Sequence, residues 1–104
     1  MSREKRGERG AGGAGYRHAR LERVVQDELN EILRDEVSDP TLTDVRVTHV
    51  KLSVDYRAAK VYYTSIAEGR DLERALERAA GFMRARLADS VELKRVPELR
   101  FEPF

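Results

Sequence analysis

Two histidines, His18 and His49, are the first places to look for acid–base chemistry in this chain. An unperturbed imidazole titrates near neutral pH, so either ring has the right acidity for proton transfer. Neither is followed or preceded by an acid and a nucleophile at a recognisable spacing, and each reads as plain surface. The acidic pairs Asp27-Glu28 and Asp35-Glu36 fall on a helical stretch. Adjacent helical positions point in different directions, so these pairs read as solvated charge and not as cooperating carboxylates. There is no cysteine, which removes disulfides, thiolate metal sites and thiol nucleophiles together. The glycine-rich beginning has neither a preceding strand nor the Lys-Ser/Thr pair of a phosphate-cradling loop. Catalysis is not expected, and neither a metal nor a cofactor is called for.

Basic residues offer a different chemistry. Arg17, Arg20 and Arg23 cluster near the start of the first helical stretch, and Lys51, Arg57, Lys60, Arg84, Arg86, Lys94 and Arg95 are spread over the second half. Together with the tyrosines they suggest RNA contact through backbone charge with some base stacking. The formal net charge is only +1 although 38% of the 104 residues are charged. Any electrostatic function therefore depends on segregation, because a nearly neutral chain has no strong overall field. Segregation is present: residues 1–20 carry six Lys/Arg against two Glu, and residues 21–44 carry two Arg against eight Asp/Glu. No apolar run approaches the length of a membrane span or signal-peptide core, so a soluble cytoplasmic protein is expected.

The elements that position these residues follow from periodicity. Residues 1–15 hold five of the seven glycines and almost nothing apolar, so they read as a disordered basic arm, with an ordered domain at 16–104. From 16 to 37, Leu21, Val24, Val25, Leu29, Ile32, Leu33 and Val37 recur at three- and four-residue spacing, the signature of a helix with one buried face. Arg17, His18, Arg20 and Arg23 in its opening turn have the wrong sign for the helix dipole. Either an anionic partner or plain solvent accounts for them. Ser38-Asp39-Pro40 stops the helix, since proline restrains the residue before it. Residues 45–54 and 59–66 read as strands joined by the turn Asp55-Tyr56-Arg57-Ala58, an antiparallel hairpin.

Asp71 is a candidate N-cap for the next helical stretch, whose apolar positions run through Leu72, Ala75, Leu76 and Ala79 to Met83 and Leu87. Gly81 interrupts it. One reading is a glycine tolerated in a single long helix; the other is a corner between two short helices at Ala79-Ala80-Gly81. Residues 95–101 read as a return strand with Pro97 at its beginning or on an edge. Leu99 and Phe101 face the core there, with Arg100 and Glu102 on the open face. Three strands with helices on one face make a two-layer α+β domain.

In that order, four segments carry a resemblance. They are Arg20-Leu21-Glu22-Arg23-Val24; Glu36-Val37-Ser38-Asp39-Pro40-Thr41-Leu42; Val47-Thr48-His49-Val50-Lys51-Leu52-Ser53-Val54-Asp55 with Ala59-Lys60-Val61-Tyr62; and Ala79-Ala80-Gly81-Phe82-Met83-Arg84 through Val96-Pro97-Glu98-Leu99-Arg100-Phe101. Jointly, over about residues 20–101, the chain resembles the bacterial ribosome-binding factor A family. The resemblance implies a single-domain KH-like fold of the bacterial type, ordered helix-strand-strand-helix-kink-helix-strand. In it an Ala-x-Gly kink (Ala79, Ala80, Gly81) replaces the usual GXXG loop. It implies a non-catalytic, cytoplasmic monomer that binds free, immature 30S small ribosomal subunits through 16S rRNA. It also implies help with late maturation and rRNA processing, release as the subunit matures, and work alongside other assembly factors. In such a fold Arg84, Arg86, Lys94 and Arg95 lie by the part that meets nucleic acid. The chain departs from the family at Thr41, where a basic residue is common. It departs again at Asp89-Ser90-Val91-Glu92-Leu93-Lys94-Arg95, where members are often strongly basic.

Three functional readings follow: an rRNA-binding assembly factor, a protein-interaction module of the same architecture without RNA contact, and a small enzyme with an unrecognised site. Salt dependence of binding separates the first two, because only phosphate contact gives a steep linear loss with log salt.

Overall fold

The computed structural model describes residues 12–104. The chain runs α1 (Gly12–Asp35), a 3-10 turn (Pro40–Leu42), β1 (Arg46–Leu52), β2 (Ala58–Thr64), α2 (Arg70–Ser90) and β3 (Glu98–Pro103). The strands form one sheet in the order β1-β2-β3. β1 and β2 pair antiparallel, as the short turn between them requires. β2 and β3 pair parallel, Ala59 opposite Leu99 and Lys60 opposite Arg100, with α2 as the crossover that parallel strands need. This is the expected two-layer α+β architecture, consistent with a KH-like fold.

Period decides which residues go inside. Val25, Leu29, Ile32 and Leu33 of α1 and Leu72, Ala75, Leu76, Met83 and Leu87 of α2 are buried on the helix side. Val47, Val50, Leu52, Ala59, Val61, Tyr63 and Leu99 meet them from one face of the sheet. Phe101 packs against this core half-buried, while Arg100 is exposed and Glu102 half-buried. Among the described residues no polar or charged side chain is fully buried.

Several boundaries differ from those that periodicity suggests. Helix α1 begins at Gly12, inside the stretch expected to be a disordered arm; the rest of that stretch, residues 1–11, lies outside the described residues. Arg17, Arg20 and Arg23 are therefore beyond the first turn, where the helix dipole has little hold on them. The expected pair of helices meeting at Ala79-Ala80-Gly81 is a single helix, Arg70–Ser90. The physical reason is one of magnitude. A mid-helix glycine costs roughly 0.5–1 kcal/mol, whereas the stripe Leu72, Ala75, Leu76, Met83 and Leu87 is buried on both sides of it. A fully buried aliphatic side chain is worth about 1.5–3 kcal/mol each. Gly81 is exposed, and a Cβ added to it meets nothing within 4 Å.

The N-cap of α2 is Gly69 at φ 91, not Asp71. Glycine takes that left-handed angle without the penalty of a Cβ. Asp71 and Glu73 fall in the first turn, where carboxylates suit the positive end of the helix. β3 starts at Glu98, three residues later than expected; Pro97 is buried just ahead of it, consistent with its lack of a ladder donor.

Candidate nucleic-acid interface

α1 lies against the outer edge of β1 and satisfies its backbone with side chains. Asn30 Nδ2 donates to the Val47 carbonyl at 2.9 Å, and the Val47 amide donates back to Asn30 Oδ1 at 2.8 Å. At the other end of the strand, His18 Nε2 donates to the Leu52 carbonyl at 2.9 Å while the Leu52 amide donates to Glu22 Oε2 at 2.8 Å. His18 is thus a structural clamp and not open surface. Edge strands otherwise offer unpaired donors and acceptors to other chains.

The His18 ring also lies 4.8 Å from the ring of Tyr56. Tyr56 sits in the β1–β2 turn at φ 62, a left-handed angle that a tyrosine rarely adopts. The turn is tied by Asp55, whose Oδ1 accepts from Ser53 Oγ at 2.8 Å and from the Arg57 amide at 3.1 Å. These bonds hold the Asp55 carboxyl below its ordinary range, the Arg57 amide first and the Ser53 hydroxyl second.

This geometry builds a groove of about 470 Å³ where the start of α1, the β1–β2 turn and the α2–β3 connection meet. Leu21, Tyr56 and Leu93 give it an apolar floor; Arg17, Lys94 and Arg95 bring three cations to it, against Asp55 and Glu92. Arg17 and the Lys94-Arg95 pair, more than seventy residues apart in the chain, therefore line one groove. Among the described residues none of Arg17, Lys94 and Arg95 is in an ion pair. The sequence pointed to these cations one by one, but it held no sign of Leu21, Tyr56 and Leu93 as their floor. The turn residues 55–58 were the only available signal.

The other basic candidates are placed differently. Arg20 is exposed on α1, and Arg23 is paired with Asp27 at 3.3 Å. Arg84 donates through Nε to the Pro97 carbonyl at 3.0 Å and through Nη2 to the Val96 carbonyl at 3.1 Å. Arg86 Nε lies 2.6 Å from Glu36 Oε1, and its Nη1 lies 3.5 Å from Asp89 Oδ2. The Glu36 hydrogen bond and charge raise the Arg86 pKa further above its ordinary value. Arg84 and Arg86 thus hold α2 to its neighbours. Lys51 and Lys60 stand opposite each other on β1 and β2, both exposed on the face of the sheet away from the helices. Ala79 and Ala80 are half-buried within α2 beside the exposed Gly81.

Among the described residues no helix is long and apolar enough to cross a membrane, and no group of three His, Cys, Asp or Glu could hold a metal ion.

Comparison with known proteins gives one consistent result. The family model described as Ribosome-binding factor A matches residues 17–103. The ribosome-binding factor A of Vesicomyosocius okutanii is 39% identical over 89 residues, covering 85% of this chain and 78% of the relative. That of Heliobacterium modesticaldum is 43% identical over 91 residues, covering 85% of this chain and 75% of the relative. The crystal structure of ribosome-binding factor A from Thermus thermophilus superposes with a TM-score of 0.77 at 35% identity, covering 83% of this chain and 94% of that one. A homology model of the Thermus thermophilus factor, as fitted into the cryo-EM map of a 30S–RbfA complex, gives a TM-score of 0.71, also at 35% identity, covering 83% of this chain and 93% of that one.

Proposed function

The chain belongs to the ribosome-binding factor A family, and on that premise we propose that it binds the free, immature 30S small ribosomal subunit through 16S rRNA. In this reading it assists late subunit maturation and rRNA processing in the cytoplasm, acting by binding and not by catalysis. The observation that carries the reading is the convergence of Arg17 with Lys94 and Arg95 on one groove with an apolar floor. Backbone phosphates supply most of the affinity of RNA-binding proteins, and such a cluster is their natural counterpart in a chain of net charge +1. The acidic side of α1, with Asp27, Glu31 and Asp35 exposed, repels phosphate and orients the groove toward it. Asp55 in the groove is poorly suited to act as an acid, because the Arg57 amide and the Ser53 hydroxyl hold its carboxyl below the ordinary range.

The contact surface in this reading is Arg17, Lys94 and Arg95, with Arg20 beside them on α1. Arg84 supports it by fixing the α2–β3 connection that carries Lys94 and Arg95, and Arg86 by tying α2 to Glu36 after α1. The test is a salt titration of binding to purified 30S subunits, comparing the wild-type chain with Arg17→Gln, Lys94→Gln and Arg95→Gln. The wild type loses affinity steeply and linearly with log salt, and each variant lowers the slope by about 0.7–0.9 for every phosphate it no longer neutralises. A control, Glu28→Gln with Glu31→Gln, keeps the wild-type slope. A shallow salt dependence in the wild type rules out phosphate contact and favours a protein partner on the subunit.

A further inference from the structure

The face of the sheet turned away from the helices carries two rows of side chains that neither the core nor the groove uses. In one, Lys51 of β1 stands opposite Lys60 of β2, which stands opposite Arg100 of β3, all three exposed. Like charges directly across a strand pair repel and cost stability. Among the described residues the only ion pair in this row is that of Arg100 with Glu98 at 3.3 Å; Lys51 and Lys60 are in no ion pair. In the other row His49 of β1 lies opposite Tyr62 of β2, which stands opposite the half-buried Glu102 of β3. The rings of His49 and Tyr62 stack with centroids 4.3 Å apart and planes 14° from parallel. Phe104, 77% exposed, brings its ring edge-on to His49 at 5.2 Å. A β-bulge between Val47 and His49 shifts the register there and helps to aim His49 at Tyr62. The rows are two residues apart along β1 and β2, about 6.6 Å.

We propose that this open face is a stacking platform for unpaired RNA bases. His49, Tyr62 and Phe104 take the base faces, and Lys51, Lys60 and Arg100 take the adjacent phosphates. The observation that favours RNA is a row of three cations, of which Lys51 and Lys60 are in no ion pair among the described residues, beside the stacked rings of His49 and Tyr62. A single-stranded segment offers alternating anionic and planar groups of the same kind, and its bases are free to stack on aromatic rings whatever their identity. Duplex RNA does not fit, because its bases already stack on one another. The proposal rests on the RNA-binding reading above but concerns a surface distinct from the groove lined by Arg17, Lys94 and Arg95.

The experiment titrates the full chain with a short oligouridine, followed by NMR of aromatic and backbone resonances, with a duplex of equal length as comparison. His49, Tyr62, Phe104 and their strand amides shift with the single strand and not with the duplex. Phe104→Ser and Tyr62→Ser each weaken oligouridine binding by about tenfold. Lys51→Gln with Lys60→Gln lowers its salt slope by about 1.4, the value for two phosphate contacts on a single strand. Phe104→Ser removes an exposed ring, so its effect is not a consequence of unfolding. The acidic-face variant Glu28→Gln with Glu31→Gln leaves oligouridine binding intact. Shifts confined to Tyr56 and Leu93, or unchanged affinity in Phe104→Ser and the double lysine variant, overturn the platform. If wild-type chain binds 30S subunits but not oligouridine, the platform fails while the ribosomal reading stands. If it binds oligouridine but not subunits, the ribosomal reading fails and the platform stands.

Discussion

Asn30 on α1 and Val47 on β1 exchange two hydrogen bonds, amide to carbonyl in both directions, at 2.9 and 2.8 Å. A side-chain amide here does what a fourth strand would do: it closes the ladder at the edge of β1. The contact also sets how α1 lies on the sheet, and with it where Arg17 stands. Replacing Asn30 with Leu leaves the Val47 N–H and C=O without partners, at a cost of about 1–3 kcal/mol. The expected outcome is a fall in melting temperature on the order of 10 °C for a domain of this size, measured by calorimetry or circular dichroism. Asn30→Asp keeps an acceptor for the Val47 amide but sets a carboxylate against the Val47 carbonyl, and is destabilising too. An unchanged Tm in Asn30→Leu excludes a structural role for the pair.

Gly81 gives a prediction of opposite sign. It lies within the uninterrupted helix α2, is exposed, and has open space where a Cβ would stand. Gly81→Ala therefore raises stability by roughly 0.5–1 kcal/mol through helix propensity and a less flexible unfolded chain. Denaturant titration reads this as a higher midpoint at unchanged slope. A lower midpoint means that the backbone at Gly81 needs a conformation alanine resists, and that a corner exists there in solution.

Arg86 and Glu36 join α2 to the segment that follows α1. Arg86→Gln and Glu36→Gln each lower the melting temperature, and the double variant is no worse than the more damaging single one, because the second change removes a partner already unpaired. Neither alters the salt slope of 30S binding. A slope reduced in Arg86→Gln, with the fold intact, moves this guanidinium to the RNA surface instead.

Two carboxylates contribute to stability on the acid side. Asp39 accepts from the Thr41 amide at 2.9 Å and from Arg78 at 3.2 Å. Its carboxyl is held below the ordinary aspartate range by the Thr41 amide first, with Arg78 a smaller cause. Asp55 is lowered in the same way by its turn. A depressed folded pKa means a contribution fully present above the unfolded value and lost as pH falls through the folded one. Below about pH 4, where an unfolded aspartate takes up its proton, the wild type therefore loses the contribution of these two groups. Asp39→Asn with Asp55→Asn is less stable at neutral pH but flatter on the acid side. Parallel acid limbs in wild type and double variant exclude both groups as the titrating pair.

The buried halves of the elements were legible in the residues themselves. Leu29, Ile32 and Leu33 fall at helical spacing, and Val50 and Leu52 at strand spacing. All are buried in the structure, because burial follows a local period that a short stretch of chain already displays. The hairpin followed from the short turn at residues 55–58. What the sequence could not display was the use of polar side chains at a distance. Asn30, Glu22, His18 and Arg86 look like solvated surface until a distant part of the chain comes within 3 Å of them. Gly81 went the same way. Its intrinsic preference is a fraction of a kcal/mol, and the buried stripe on either side of it decided the conformation of α2. The groove belongs to the same class. Arg17 and Arg95 are seventy-eight positions apart (95 − 17), and only the parallel return of β3 beside β2 brings the α2–β3 connection to the start of α1. Hydrophobic period is a property of neighbours in sequence, whereas a charge cluster is a property of neighbours in space, and the packed fold alone supplies the second.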